Sequence, residues 1–549
     1  MSGERSAFRG VGDVALGLAV VLVTYAGWRL FWFLTDDAFI AFRYASNSVL
    51  GYGLVWNPPP FRPVEGYTSF LWVRLLEGVW RLTGVDPTRT ANWLSLAFGY
   101  ATLALVARTL LRMRLSPAIA PTRRVLLVLV LAGILSNRTF LTWLSSGLET
   151  AMFNFFVSAW IGLALAARRT PLPRTGPRDA WLLWLALVTA LLALSRPDGL
   201  LFCGAFALIW WLRKRESSEV RWLALWPLLV VSIHLGWRRW TYGSWLPNTY
   251  YAKQVEAWAE SGFRYLASFV LEYGIWVWLL LLGTWLIRVL RPSRRLAWAS
   301  LRRHSIEAVA LATLAAHAGY YTFIVGGDHF EYRVYSHLVP LLWISGAWLA
   351  ARVVARSRGV IALLVVWLVV ASPIPWVHWH ETRDLTTRAQ TLRSVQPIAM
   401  HFPAPLRPVV GAWDGWQAWL ARRRVCVRHQ EHKVFWQHQV RELPTRSEGS
   451  AIRWERRAVL VRGAVGVPGW VFPEVAVIDE FGLNDWVVAR NPRPRYRTRR
   501  MAHDRIPPAG YVECFRPNLE IRDGVVSLEK RESPLSDEEI RACENADWN

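Results

Sequence analysis

The chain is poor in acids: 40 Asp and Glu stand against 64 Lys and Arg in 549 residues, a formal charge of +24. That balance raises nucleic acid as a partner, but no nucleic-acid motif accompanies it, and the basic residues fall mainly between apolar blocks and towards the C-terminus. No nucleic-acid partner is expected; the charge reads as membrane topology plus an anionic lipid surface. Cysteine is scarce as well. Cys203 lies in an apolar block and Cys426, Cys514 and Cys543 lie near the C-terminus, so an exported tail has room for one disulfide with a thiol left over, and the count does not fix the pair. No solenoid-type repeat is present, and low complexity is confined to the Arg/Pro stretch 491–500. The first apolar block, 14–34, follows Arg5 and Arg9 and lacks a small-residue cleavage site, which makes it a retained helix rather than a signal peptide.

What the chain has in abundance is apolar and aromatic surface: 53% hydrophobic residues, 35 Trp and a mean hydropathy of +0.20. An ordinary soluble domain carries less. Segments long enough to cross a bilayer, at roughly 20 residues each, fall at 14–34, 91–111, 124–141, 148–167, 180–195, 199–213, 221–240, 271–290, 305–325, 335–352 and 359–376. About eleven spans are expected. The connections alternate in character. Segments 112–124, 168–178, 213–221, 288–303 and 352–358 are rich in Arg and poor in acids, as cytoplasmic loops are. Segments 35–90, 136–149, 196–198, 241–271 and 326–333 carry most of the Asp, Glu, Asn, His and Tyr between spans and face outward. An odd span count with the N-terminus inside puts the tail outside. Beyond residue 377 the apolar runs shorten to strand-like pieces, 458–461 and 475–478, broken by Pro, Gly and charge, which predicts a soluble α+β domain over 377–549 behind a membrane domain over 1–376. The first outward loop, 35–90, is expected to lie partly on the membrane surface over 39–89.

That loop opens with Thr35-Asp36-Asp37-Ala38-Phe39-Ile40, two adjacent acids where the bilayer ends, and ionisable groups there tend to be functional. It continues through Phe42-Arg43-Tyr44, Gly51-Tyr52-Gly53-Leu54-Val55-Trp56-Asn57-Pro58 and Val64-Glu65-Gly66-Tyr67-Thr68-Ser69-Phe70-Leu71-Trp72. Further on come Gly147-Leu148-Glu149-Thr150, Arg196-Pro197-Asp198-Gly199, Leu246-Pro247-Asn248-Thr249-Tyr250-Tyr251-Ala252-Lys253 and Gly326-Gly327-Asp328-His329-Phe330-Glu331-Tyr332-Arg333. The tail adds Asp479-Glu480-Phe481-Gly482-Leu483-Asn484-Asp485. In this order the motifs resemble membrane glycosyltransferases of the GT-C class, and within it the terminal β-(1→2)-arabinofuranosyltransferases of mycobacterial cell-wall arabinan and their bacterial relatives. The likeness spans most of the chain and touches all five outward segments. It departs at Asp198, where the relatives often carry Glu, and in the tail, where their Gly-His-Glu element has Ala502-His503-Asp504 as its nearest substitute.

The resemblance implies a polyprenyl-phosphate sugar donor, a pentose such as arabinofuranose or a hexose, and a cell-envelope glycan or other acceptor on the non-cytoplasmic face of a bacterial inner membrane. An acceptor hydroxyl attacking an anomeric carbon needs a base to take its proton. The resemblance places that role on Asp37 or Asp36, and one sequence does not say which neighbour points into the site. The departing lipid phosphate gains charge and needs cationic or hydrogen-bond donors; Arg333, Arg196, Lys253 and His329 are the candidates. Glu65, Tyr67, Glu149, Asp198, Asn248, Tyr251, Asp328 and Glu331 are candidate sugar or acceptor contacts. Asp328, His329 and Glu331 also form an acid-His-acid cluster suited to a divalent cation, although no cofactor is required. His234 and His317, inside apolar spans, read as core histidines. One base acting in one displacement predicts inversion. Two rivals stand beside this reading: a lipid-linked-sugar flippase, which would place charges near mid-bilayer in paired repeats, and a non-catalytic module that grips cell-wall polymer through its tail.

Overall fold

A computed structural model describes residues 2–166, 180–216, 222–253, 256–290, 304–393, 396–492, 498–522 and 524–548. The basic connection 168–178, most of 288–303, part of 213–221 and part of the Arg/Pro stretch lie outside the described residues.

Helices occupy all eleven expected spans, because apolar runs leave the backbone no partner but itself. Four of them are long and apolar enough to cross a membrane unaided: Gly12–Leu30, Pro87–Leu111, Ser305–Val325 and Ser357–Thr382. The pair Ala259–Glu272 and Ile275–Val289 makes a fifth if its 91° bend is one broken span, and Thr150–Ala166, Ala180–Ser195 and Leu338–Val353 are shorter apolar helices. Local chemistry shortens the rest. Segment 124–141 breaks at Asn137, whose side chain accepts from the Phe140 amide at 3.0 Å and starts a new short helix, Arg138–Thr142. Segment 221–240 begins as a 3₁₀ stretch, Trp222–Leu228, that contains Pro227.

Helix α1 (Ser2–Leu30) leads into α2 (Asp36–Val49), and the first outward loop closes with α3 (Phe70–Thr83) and the start of α4 (Pro87–Leu111). Asp86 caps α4 by accepting from the Thr88 amide at 2.8 Å, with Pro87 at the first helical position. Eleven of the fourteen residues of α2 are buried. Its cover is largely the tail segment 466–475. Arg43, with no carboxylate beside it, donates to the carbonyls of Trp56, Gly469, Phe472 and Val475 and to Asn57 Oδ1 at 2.7–3.2 Å. Five charge-assisted bonds replace the water that a buried guanidinium loses.

The tail is mainly helical around two small sheets. Strand β1 (Val459–Arg462) pairs in parallel with β2 (Ala476–Asp479), and β3 (Leu519–Arg522) pairs antiparallel with β4 (Val525–Leu528). The two expected strands thus form, each one residue late. Leu460, Val465, Trp470, Phe472 and Val477 pack in one core with Phe33, Phe42, Trp56 and Trp72, while Val459, Ile478, Val488, Tyr511, Phe515 and Ile540 form a second core with Phe61. Cys514 and Cys543 form a disulfide, and Cys203 and Cys426 remain thiols.

Candidate active site

Asp36 and Asp37 open α2, and neighbouring helical residues diverge by about 100°. Asp36 turns into the tail, where its carboxylate accepts from the amides of Gly466 and Val467 at 3.2 and 2.8 Å. A side chain at 466 would strike the Asp36 carbonyl, so glycine is what lets the two segments touch. Burial pushes the Asp36 pKa up to about 6 against those two bonds. Asp37 is half-buried, and its carboxylate makes no hydrogen bond or ion pair among the described residues.

Around Asp37 the fold gathers side chains from separate outward segments. Its charge acts on Lys253 and on His503, and Lys253 in turn lies in the fields of Arg333, Asp328 and Arg196. Arg333 forks onto Asp328 through Nε (2.8 Å) and Nη2 (3.2 Å) and lies over the Phe330 ring. Arg196 donates Nε to Asp198 at 3.0 Å, Nη1 to Glu149 at 2.9 Å and Nη2 to Tyr321 Oη at 2.9 Å. Asp198 also accepts from Tyr321 Oη (2.8 Å) and His317 Nε2 (3.0 Å). Burial would raise both carboxyls, but Arg196 and His317 hold Asp198 well below the usual range, and Arg333 holds Asp328 low. Lys253 itself is exposed. Its ammonium and Arg333 Nη1 make no hydrogen bond to the described residues, so both keep donors for a ligand.

Of the expected site residues, then, Asp37, Glu149, Arg196, Asp198, Lys253, Asp328, His329 and Arg333 come together. Others serve the scaffold. Glu65 is buried against Arg238 (2.6 Å), and burial lifts its pKa to about 7 despite that partner. Tyr67 Oη meets Tyr242 Oη at 3.3 Å. Asn248 donates to the carbonyls of Gly482, Leu483 and Asp485 and so holds the tail motif 479–485 in place. Tyr251 lies under Arg490 with its carbonyl taken by Arg505. Glu331 points away from the cleft onto Arg138 and the His429 amide. The acid-His-acid cation site is therefore corrected: Asp328, His329 and Glu331 face three different partners, and among the described residues no group of three or more His, Cys, Asp and Glu is placed to hold a metal. Burial lowers the His329 pKa to about 4, so the ring is neutral near pH 7.

His317 is a buried, hydrogen-bonded histidine as expected, but sequence reasoning did not see its partner, and it passed over Tyr321; the two share the Asp198 carboxylate. Their spacing of four, ending just before Gly326, was the available signal. His234 is the core histidine expected, packed at 4.2 Å on Phe70.

One solved structure with the same fold is that of ArnT from Cupriavidus metallidurans bound to undecaprenyl phosphate, at 13% identity over 85% of this chain and 86% of that chain, with a TM-score of 0.52. At that identity the likeness establishes a shared fold. No family model matches the chain, and no curated protein matches it.

Proposed function

We propose that the chain is an inverting GT-C glycosyltransferase of a bacterial inner membrane, with about eleven spans, that takes a pentose or hexose from a polyprenyl-phosphate donor on the non-cytoplasmic face. The observation that carries this reading is Asp37: a carboxylate with no hydrogen bond among the described residues at the start of α2, its charge acting on Lys253, which lies in turn in the field of Arg333, and both cations keep unused donors. A base and an anion-binding pair side by side are what glycosyl transfer from a lipid phosphate requires. Asp37 takes the proton of the acceptor hydroxyl as the C–O bond forms. Lys253 and Arg333 receive the phosphate as the anomeric bond breaks. Arg196, held between Glu149 and Asp198, adds to the positive field behind them. The fold shared with ArnT, a structure holding undecaprenyl phosphate, favours the lipid-phosphate donor. The motif order favours arabinofuranose as the sugar and a cell-envelope glycan as acceptor.

The test is transfer of labelled sugar from a panel of synthetic polyprenyl-phosphate pentoses and hexoses by purified protein, with and without chelator, alongside Asp36→Asn and Asp37→Asn. Turnover abolished by Asp37→Asn and retained by Asp36→Asn is the expected result. Turnover indifferent to both substitutions sinks the assignment of the base, and no turnover with any donor sinks the reaction.

A further inference from the structure

Two imidazoles in the cleft are held alike, and neither suits a phosphate. His329 directs Nδ1 at the Arg424 carbonyl (2.8 Å), and His503 directs Nδ1 at the Met501 carbonyl (2.6 Å). A carbonyl can only accept, so each Nδ1 carries the proton and each Nε2 presents a lone pair. Neither Nε2 has a hydrogen-bond partner among the described residues, and neither belongs to the sealed, unpartnered atoms of the interior, so both open on accessible space. The rings lie 5.0 Å apart, with Phe481 edge-on to His503 at 4.7 Å and His432 edge-on to His329 at 5.2 Å. Burial pulls His329 down to about 4 and His503 to about 3, so both are neutral near pH 7.

Both imidazoles hang on one piece of the tail, 423–427. His329 is fixed by Val427, whose amide donates to the His329 carbonyl at 2.8 Å, next to the Cys426 amide on the Asp328 carbonyl at 2.9 Å. His503 follows Met501, whose amide donates to the Arg423 carbonyl at 2.9 Å, and Ala502, held in the left-handed region at φ 59°. Their separation is thus set by the tail. Asp37 lies near enough for its charge to reach His503.

We propose that His503 and His329 form a hydroxyl-binding subsite for the acceptor sugar, and that the tail thereby delivers acceptor recognition to the reacting carboxylate. The occupant's being a sugar rests on the glycosyl-transfer reading. A phosphodiester near neutral pH has only oxygens that accept, and lone pairs facing it would repel it. A polyol has hydroxyl donors, and two imidazole nitrogens and a carboxylate are three acceptors to receive them. The cleft accordingly divides into a cationic half, Lys253 and Arg333, and a lone-pair half, Asp37, His329 and His503. Hydroxyls bound by the imidazoles orient the sugar so that a neighbouring hydroxyl donates to Asp37.

The full-length protein in lipid nanodiscs is titrated separately with octyl arabinofuranoside, octyl glucopyranoside and undecaprenyl phosphate, followed by tryptophan fluorescence. Donor and acceptor KM are measured in transfer. His503→Ala should weaken binding of the preferred octyl glycoside by about tenfold or more and raise the KM for acceptor, leaving undecaprenyl phosphate affinity and donor KM within about twofold. His503→Gln, whose amide oxygen can stand where Nε2 stood, should recover part of the loss and carries the test if the alanine variant misfolds. Glycoside affinity unchanged in His503→Ala, or an equal loss of undecaprenyl phosphate affinity, overturns the subsite. A wild type that binds the lipid but neither glycoside overturns it too and leaves the transferase reading standing. His503-dependent glycoside binding with no affinity for the lipid supports the subsite and fails the transferase reading.

Discussion

Two charged clusters grow from the same outward segment, 326–333, and come to opposite ends. Glu331 goes inward to Arg138 (2.7 Å) and Arg428 (3.3 Å), and Arg428 bridges on to Glu272 (2.8 Å), with the Arg138, Glu331 and Glu272 side chains 0–1% exposed. Tyr332 Oη and Trp413 Nε1 complete the shell around Glu272. Three residues earlier, Asp328 points the other way with Arg333, their side chains 11–12% exposed, beside Lys253 and Asp37. The first cluster spends its charges on its own walls and ties the tail to the helices. Both leave atoms without hydrogen-bond partners, but those of the first, Glu331 Oε1, Arg138 Nε and Arg428 Nε, are sealed in the interior, whereas Arg333 Nη1 and the Lys253 ammonium of the second are not. Charge alone does not distinguish structure from site; unused hydrogen-bonding capacity facing a cleft does.

The comparison sharpens first at Asp37. Replacing it by Asn should cut kcat about a thousandfold without moving the melting temperature, measured by single-turnover sugar transfer and by thermal unfolding. If the inner cluster is structural, Glu331→Ala strands the buried Arg138 guanidinium, while Arg428 keeps Glu272, and should cost roughly 3–5 kcal/mol, read as a lower melting temperature in nanodiscs, while the folded fraction keeps its affinity for undecaprenyl phosphate. A weakened lipid affinity with unchanged stability would reverse the roles assigned to the two clusters. Lys253→Ala should do the opposite, lowering that affinity by about 10–100-fold at unchanged melting temperature, with Lys253→Arg recovering part of it.

The smallest effect is expected at Asp36. Its folded pKa of about 6 lies above the ordinary 3.8, so its protonation contributes stability that is complete below about pH 4 and is lost as the pH rises through 6. Wild type should therefore lose melting temperature relative to Asp36→Asn between pH 4 and 7, while the variant keeps kcat within about tenfold of wild type. A pH-independent difference between the two would show that Asp36 is ionised throughout.

Much of this was legible without coordinates. Apolar runs, Trp content and the alternation of basic and polar connections follow from the solvent the chain must meet, so composition and spacing announce a membrane protein directly. The outward motifs placed Asp37, Lys253, Arg333, Arg196, Asp198 and Glu149 on a short roster. The same roster holds Glu65, Tyr67, Asn248 and Glu331, whose partners in the fold are protein groups; a motif records which residues lie near each other in sequence and not which way each side chain turns.

What the sequence determined, then, was the solvent, the helices and the set of polar residues available between them. Only the tertiary structure decided that Asp36 binds the tail while Asp37 stays free, that His317 and Tyr321 hold Asp198, and that His503 meets His329. Those outcomes depend on a rotation of about 100° between helical neighbours and on contacts across as many as 431 positions of chain, as between Asp36 and Val467. Local pattern encodes the period of a helix and the cost of burial, whereas the partner of a buried polar group is fixed only when distant segments close around it.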